Sequence, residues 1–285
     1  MRLMRVGPAG RERPVVSRAG GTWFDATPIA ADYDPEFFSG DGIARLRAAL
    51  EGGALVEASI ESDRIGPPLV RTPSIVCIGM NYAAHAAESG ALPPEDVVVF
   101  FKKSNTLVGP NDPITRPDPR STLDWEVELG IVIGARLHGE VTDDEALSAI
   151  AGYVLANDLS DRWSQIEWSG GQWSKGKSFP GACPLGPWIA TTDEVPDPQD
   201  LALRSWVNGE PRQSSSTADM VFSVAAILVE LARVMELEPG DIVLTGTPQG
   251  VALSGRFPYL AEGDTVRLTI DGLGEIAQTV FPVSD

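Results

Sequence analysis

DWEVELGIVIG, residues 124–134, is the stretch that decides the fold class. Trp125, Val127, Leu129, Ile131 and Ile133 recur at every second position, the period of a β-strand with one face in the core. The spacing predicts a half-buried strand whose other face carries Asp124, Glu126 and Glu128. Working outward, residues 75–78 form a short apolar run that reads as a buried strand. Residues 152–156 read as another, ending near Asp158. Residues 242–245 follow a Pro239-Gly240-Asp241 turn as a third. Residues 265–270 and 275–280 flank Asp271-Gly272-Leu273-Gly274 as a hairpin. Three helices intervene. One spans 82–89, with Asn81 as N-cap and Gly90 as stop. A second opens on the capping box Thr142-Asp143-Asp144-Glu145 and runs to about residue 150. The longest covers 220–235, with apolar positions at helical spacing. Strands outnumber helices and no βαβ rhythm is sustained. The expected fold class is therefore α+β, mainly β and mainly antiparallel.

Residues 1–70 read as a small accessory unit of short strands and one helix over 42–50. Gly66-Pro67-Pro68 marks the joint to a body over 71–285. With 43% of 285 residues apolar, the chain has material for a large core. No run approaches the roughly 20 apolar residues of a membrane span, and the N-terminus lacks the apolar segment of a secretory leader. Two cysteines, Cys77 and Cys183, sit in apolar or proline-rich company, as buried free thiols do. These features point to a cytoplasmic protein. A net charge of −18 disfavours nucleic acid and anionic membranes as partners.

Carboxylates at i and i+2 of a strand project together and repel one another, and a cation relieves the repulsion. Oxygen donors suit Mg²⁺, Mn²⁺ or Ca²⁺. By spacing alone Asp124, Glu126 and Glu128 are equally the solvated face of an edge strand. Asp158, in NDLSDR, is by itself a turn acid. His85 and Glu88 stand at i and i+3 of a short helix and share a face. A carboxylate beside an imidazole orients it as a general base, although a surface pair has the same spacing. His138, the one other histidine, lies in a surface turn and has no assigned role. GQWSKGKS (171–178) matches the phosphate-loop pattern formally. A polar loop precedes it and Pro180 and Pro184 follow, so the strand and helix that motif needs are absent. Lys177 remains a cation beside Gly176, suited to an oxo acid. Thr245-Gly246-Thr247-Pro248 ends a strand and can offer donors to an anion.

In this order the motifs resemble the fumarylacetoacetate hydrolase family. The matching stretches are IGMNYAAHAAE (78–88), FFKKSNTLVGPNDPI (100–114), DWEVELGIVIG (124–134), AGYVLANDLSDRWSQ (151–165), QWSKGKSF (172–179), CPLGPWI (183–189), VNGEPRQ (207–213) and LEPGDIVLTGTPQGV (237–251). The resemblance implies a mixed β-sandwich roll around a divalent metal, Mg²⁺ or Mn²⁺, usually in a homodimer. It implies Glu126, Glu128 and Asp158 as metal ligands and His85 and Glu88 as a catalytic dyad, with Lys177 in catalysis. Arg162, Gln165, Thr247 and Lys102 would line the substrate, a small 2-oxo acid. Two departures stand out. Residues 75–81 contain no acid where some relatives carry a fourth aspartate, so three carboxylates plus water are expected. Pro180 and Gly181 replace the Asp-Thr of many relatives, at the end of the site that sets distal specificity.

The implied activity is hydrolysis of a C–C bond in an acylpyruvate or diketo acid. Isomerisation or decarboxylation of a 2-oxo acid, and hydrolysis of a diketo deoxy-sugar acid, pass through the same enolate and stay open. A binding protein on this fold would have lost part of the site. The short helix and the nearly apolar-free residues after it suggest a lid over 82–96 that closes on substrate.

Overall fold

The computed structural model describes residues 1–283 other than Ser62, Ser89 and Ala91. A nine-stranded mixed sheet runs in the order Trp23–Asp25, Arg13–Ser17, Arg2–Val6, Ile189–Thr191, Ile150–Asn157, Val127–Ile133, Ile242–Leu244, Ile75–Gly79, Val98–Lys102. A five-stranded sheet runs Glu210–Ser216, Ala202–Val207, Thr265–Ile270, Gly274–Phe281, Ile114–Thr115. Most pairings are antiparallel, as expected, but Ile242–Leu244 runs parallel to Ile75–Gly79 and Gly274–Phe281 parallel to Ile114–Thr115. The first three strands of the chain join the large sheet through the pairing of Arg2–Val6 with Ile189–Thr191. A core that includes Leu3, Val16, Leu46, Val154 and Ile189 is shared by residues before and after position 70.

The deciding strand differs from its expected half-buried state: all seven residues of Val127–Ile133 are buried. Its apolar positions join the main core, which packs against the helix Val224–Val234 through Val224, Ile227, Leu228 and Leu231. The opposite face, where the acids break the apolar pattern, is enclosed too, because it forms the floor of an internal site. The Thr142 capping box is present, with its hydroxyl accepting from the Glu145 amide, and the helix covers Asp143–Ser148. No helix among the described residues is long and apolar enough to cross a membrane.

Asn81 does not cap the helix Ala83–Glu88. Its side-chain amide donates to the Phe222 and Thr245 carbonyls (3.1 and 2.9 Å) and its oxygen accepts from the Phe222 amide (2.7 Å). A fully buried amide has more to gain from three fixed partners than from one helix-end donor. Asn81 thereby pins the chain entering the His85 helix to two distant segments. Replacing Asn81 with alanine strands those groups, and the expected loss is about 2–4 kcal/mol of unfolding free energy in a urea titration.

Asp241 is also buried, and burial pushes its carboxyl up to about 6. One of its oxygens accepts from the Glu238 amide at 2.8 Å, while the other has no hydrogen-bond partner among the described residues. The folded state thus holds this proton more tightly than the unfolded chain. The associated stabilisation is complete below the unfolded value near 4 and is lost as pH rises through about 6. Asp241→Asn should therefore be more stable than wild type at pH 7.5, with the gap narrowing toward pH 5 in matched urea titrations.

Candidate metal and substrate site

Strand register builds the site at one end of the large sheet. Asn157 lies opposite Val127 and Ala156 opposite Glu128, and the Asp158 amide donates to the Glu126 carbonyl at 3.0 Å. This brings Asp158 beside the two glutamates. On the other flank Leu244 pairs with Gly130 and, in parallel, with Cys77. The Thr245–Pro248 turn and the His85 helix therefore emerge at the same end. Met80 turns the chain between strand and helix at φ 58°, an uncommon conformation for a non-glycine residue, and its side chain joins the cavity wall.

Glu126, Glu128 and Asp158 each offer an oxygen, and these oxygens lie within 4.8 Å of one another. All three residues are buried. The Lys177 ammonium bridges Glu126 and Asp158 at 2.6 Å from each, and Lys102 sits on the other Asp158 oxygen at 2.6 Å. Burial works to lower the Lys177 pKa, but the Asp158 and Glu126 charges overcome it and hold it above the ordinary value. Burial likewise works to raise Glu126, and Lys177 and Arg162 overcome it and hold its carboxyl below the usual range. Glu128 goes the other way. Burial and then the Asp158 and Glu126 charges push it well above its ordinary value. This clustered, oxygen-only, under-compensated set fits a hard divalent cation.

The cavity above these acids measures about 120 Å³ and is lined by polar residues at its floor, among them His85, Arg162, Gln165, Lys177 and Thr247. His85 Nδ1 lies 3.0 Å from Glu88 Oε1. A carboxylate only accepts, so Nδ1 is the donor in this pair, and His85 lines the cavity. Glu88 is itself held by the Gly250 amide at 3.0 and 3.1 Å. Tyr82, His85 and Ala86 are buried, so the helical part of the expected lid is docked, whereas Leu92, Pro93, Glu95 and Asp96 are exposed; its Ser89 and Ala91 lie outside the described residues.

Other expectations are placed differently. Asp124 does not join the ligand oxygens. It accepts from Arg162 Nε at 2.9 Å and from the Ala252 and Leu253 amides at 2.8 and 3.0 Å. Arg162 lines the cavity, but Asp124, Glu126 and Gln165 occupy its guanidinium. Gln165 accepts from Arg162 at 2.8 Å, which leaves its Nε2 for a ligand. Lys102 does not line the cavity; it lies behind Asp158, fully buried. The Thr247 hydroxyl donates to the Val127 carbonyl (3.0 Å) and accepts from Gln213 Nε2 (2.8 Å), so its proton is already committed. Gln213, to which no sequence motif assigns a role, also accepts from the Val127 amide, between Glu126 and Glu128. The turn at Gly246, with φ of +92°, aims its amide at Glu128 Oε2 at 2.9 Å. A Cβ there would stand 2.9 Å from Asn81 Cβ, which accounts for glycine.

Residues 74–281 match the model of the fumarylacetoacetate (FAA) hydrolase C-terminal domain. The chain belongs to the fumarylacetoacetate hydrolase family. A relative from Burkholderia multivorans, named only as a hydrolase, is 46% identical over 281 residues, 98% of each chain. A structure of 2-hydroxyhepta-2,4-diene-1,7-dioate isomerase from Mycobacterium marinum superposes with TM-score 0.76 at 33% identity and covers 100% of both chains. Maleylpyruvate hydrolase from Sphingobium sp. SYK-6, in complex with manganese(II) and pyruvate, superposes with TM-score 0.82 at 29% identity, again over 100% of both. Members of this family thus carry hydrolase and isomerase names on one architecture, and one of them holds manganese.

Proposed function

We propose that the protein is a Mg²⁺- or Mn²⁺-dependent hydrolase that cleaves the C–C bond of a small acylpyruvate or diketo acid. The observation that carries this reading is that His85, paired with Glu88, lines the same cavity as Glu126 and Glu128 of the three-carboxylate cluster. Glu126, Glu128 and Asp158 would hold the ion, which when bound supplies Lewis-acid polarisation of the substrate's oxo-acid end. Gln165 Nε2 orients that end. His85 Nε2 accepts a proton from water, and the resulting hydroxide attacks the distal carbonyl. Glu88 holds the imidazolium that forms. The C–C bond then breaks to release the acyl group as a carboxylic acid. Its electron pair passes to the pyruvate half as an enolate, beside the Lys177 ammonium. Protonation of that enolate completes pyruvate.

An isomerase needs proton transfer on carbon but no water nucleophile. An imidazole with one nitrogen held by a carboxylate is a general base for either proton, so the products formed separate the two activities. The test is a panel of acylpyruvates, oxaloacetate and unsaturated 2-hydroxy dioic acids, each with and without Mn²⁺. Metal-dependent pyruvate release from an acylpyruvate is the expected result. Double-bond migration or CO₂ release without acyl cleavage would replace the reading by isomerase or decarboxylase.

A further inference from the structure

We infer that the substrate's distal acyl group is uncharged and apolar, so that the enzyme selects monocarboxylic acylpyruvates over those ending in a second carboxylate. The inference rests on the 2-oxo acid reading above and names the substrate class within it. Beyond the polar floor, the cavity wall is formed by Ile78, Gly79, Met80, Phe100, Trp173 and Leu253. Phe100 and Trp173 meet edge-on with ring centroids 5.6 Å apart, so this wall is a packed aromatic surface rather than a fringe of mobile side chains.

Among the described residues, each lysine or arginine lining the cavity already has two carboxylate partners. The cations lining the cavity, among the described residues, are Arg162 and Lys177. The guanidinium of Arg162 is taken by Asp124, Glu126 and Gln165. Lys177 is held between Glu126 and Asp158, also donates to the Asp158 carbonyl at 3.4 Å, and lies 5.2 Å from the Phe100 ring. A second carboxylate would lie against the wall's apolar side chains, its desolvation uncompensated.

The test compares two unreactive ligands of equal length, 2-oxohexanoate and 2-oxoadipate, which differ in a terminal methyl against a terminal carboxylate. Binding to the Mn²⁺-loaded protein is measured by titration calorimetry, so the readout does not depend on turnover. The expected result is binding of 2-oxohexanoate at least about 10-fold tighter. Equal or tighter binding of 2-oxoadipate would overturn the inference while leaving the hydrolase reading intact. Binding of neither would overturn both. A second measurement assigns the preference to this wall. Leu253→Arg, at a half-buried position on the rim, should bring 2-oxoadipate to within about 3-fold of 2-oxohexanoate by supplying the missing cation. A preference unchanged in that variant would place the distal group elsewhere and overturn the assignment.

Discussion

Replacing Glu128 with glutamine is expected to yield a folded protein that no longer binds Mg²⁺ or Mn²⁺ and has lost activity by about 10³-fold or more. The size follows from the several kcal/mol a Lewis-acid ion contributes, at 1.4 kcal/mol per factor of ten. Glutamine keeps the volume of the side chain, and its carbonyl oxygen can still accept from the Gly246 amide that holds Glu128. What is lost is one of the three carboxyl groups whose oxygens cluster. Folding should move in the opposite direction. Burial and the Asp158 and Glu126 charges raise the Glu128 pKa, so ionising it in the folded protein is unfavourable. A neutral amide removes that repulsion. Metal-free Glu128→Gln should therefore unfold in urea no earlier than metal-free wild type at pH 7.5. Wild type alone should gain thermal stability with added Mn²⁺, by about 2.7 kcal/mol at a hundredfold excess over Kd. A variant that retains the Mn²⁺ shift would show that the ion is held elsewhere.

The two glutamate positions also show what a sequence conveys about such a site. The alternation of Trp125, Val127, Leu129 and Ile131 correctly marks a strand, and the acids between them correctly mark a second face. Periodicity reports only that a face is polar. It does not distinguish water from an enclosed site, and here the face is enclosed. Local signals with local partners were legible: the Thr142 box closes on Glu145, and Gly90 follows the His85 helix with φ of +74°. Asn81 reads as a cap because capping is the local use of an asparagine, while its actual partners are 141 and 164 residues away. The same spacing rule groups Asp124 with Glu126, but Arg162, 38 residues on, and the Ala252 and Leu253 amides, 128 and 129 residues on, claim it.

Backbone donors were the least legible part. The segment from Gly246 to Leu253 sends amides to Glu128, Glu88 and Asp124. It thereby fixes a metal-ligand candidate, the dyad acid and the partner of Arg162 at once. An N–H group carries no side-chain identity, so the sequence shows only the glycines that let the chain turn there. Arg162, Gln165 and Lys177 come from a stretch too polar and irregular to read as core. The structure makes it a short π-helical turn over Trp163–Trp168 and one α-helical turn over Trp173–Gly176, with those three side chains buried.

His85→Ala separates the chemistry from the metal. Removing the imidazole takes away the group placed to accept the water proton, and the expected loss in hydrolytic kcat is about 10²- to 10⁴-fold. The metal site should be untouched, since none of its oxygens is held by His85. The Mn²⁺-dependent rise in thermal stability should therefore match wild type, in contrast to Glu128→Gln. The fold should survive as well, because Glu88 keeps its Gly250 amide and Asn81 still anchors the entry to the helix. Glu88→Gln gives the companion result. Glutamine can still accept the Nδ1 proton but no longer supports an imidazolium by charge, so its loss should be smaller than that of His85→Ala. The double variant should be no worse than His85→Ala alone, because an acid that acts only through the imidazole has nothing left to act on. A double variant that loses the full product of the two single effects would mean that Glu88 and His85 work independently, and the dyad would have to be abandoned.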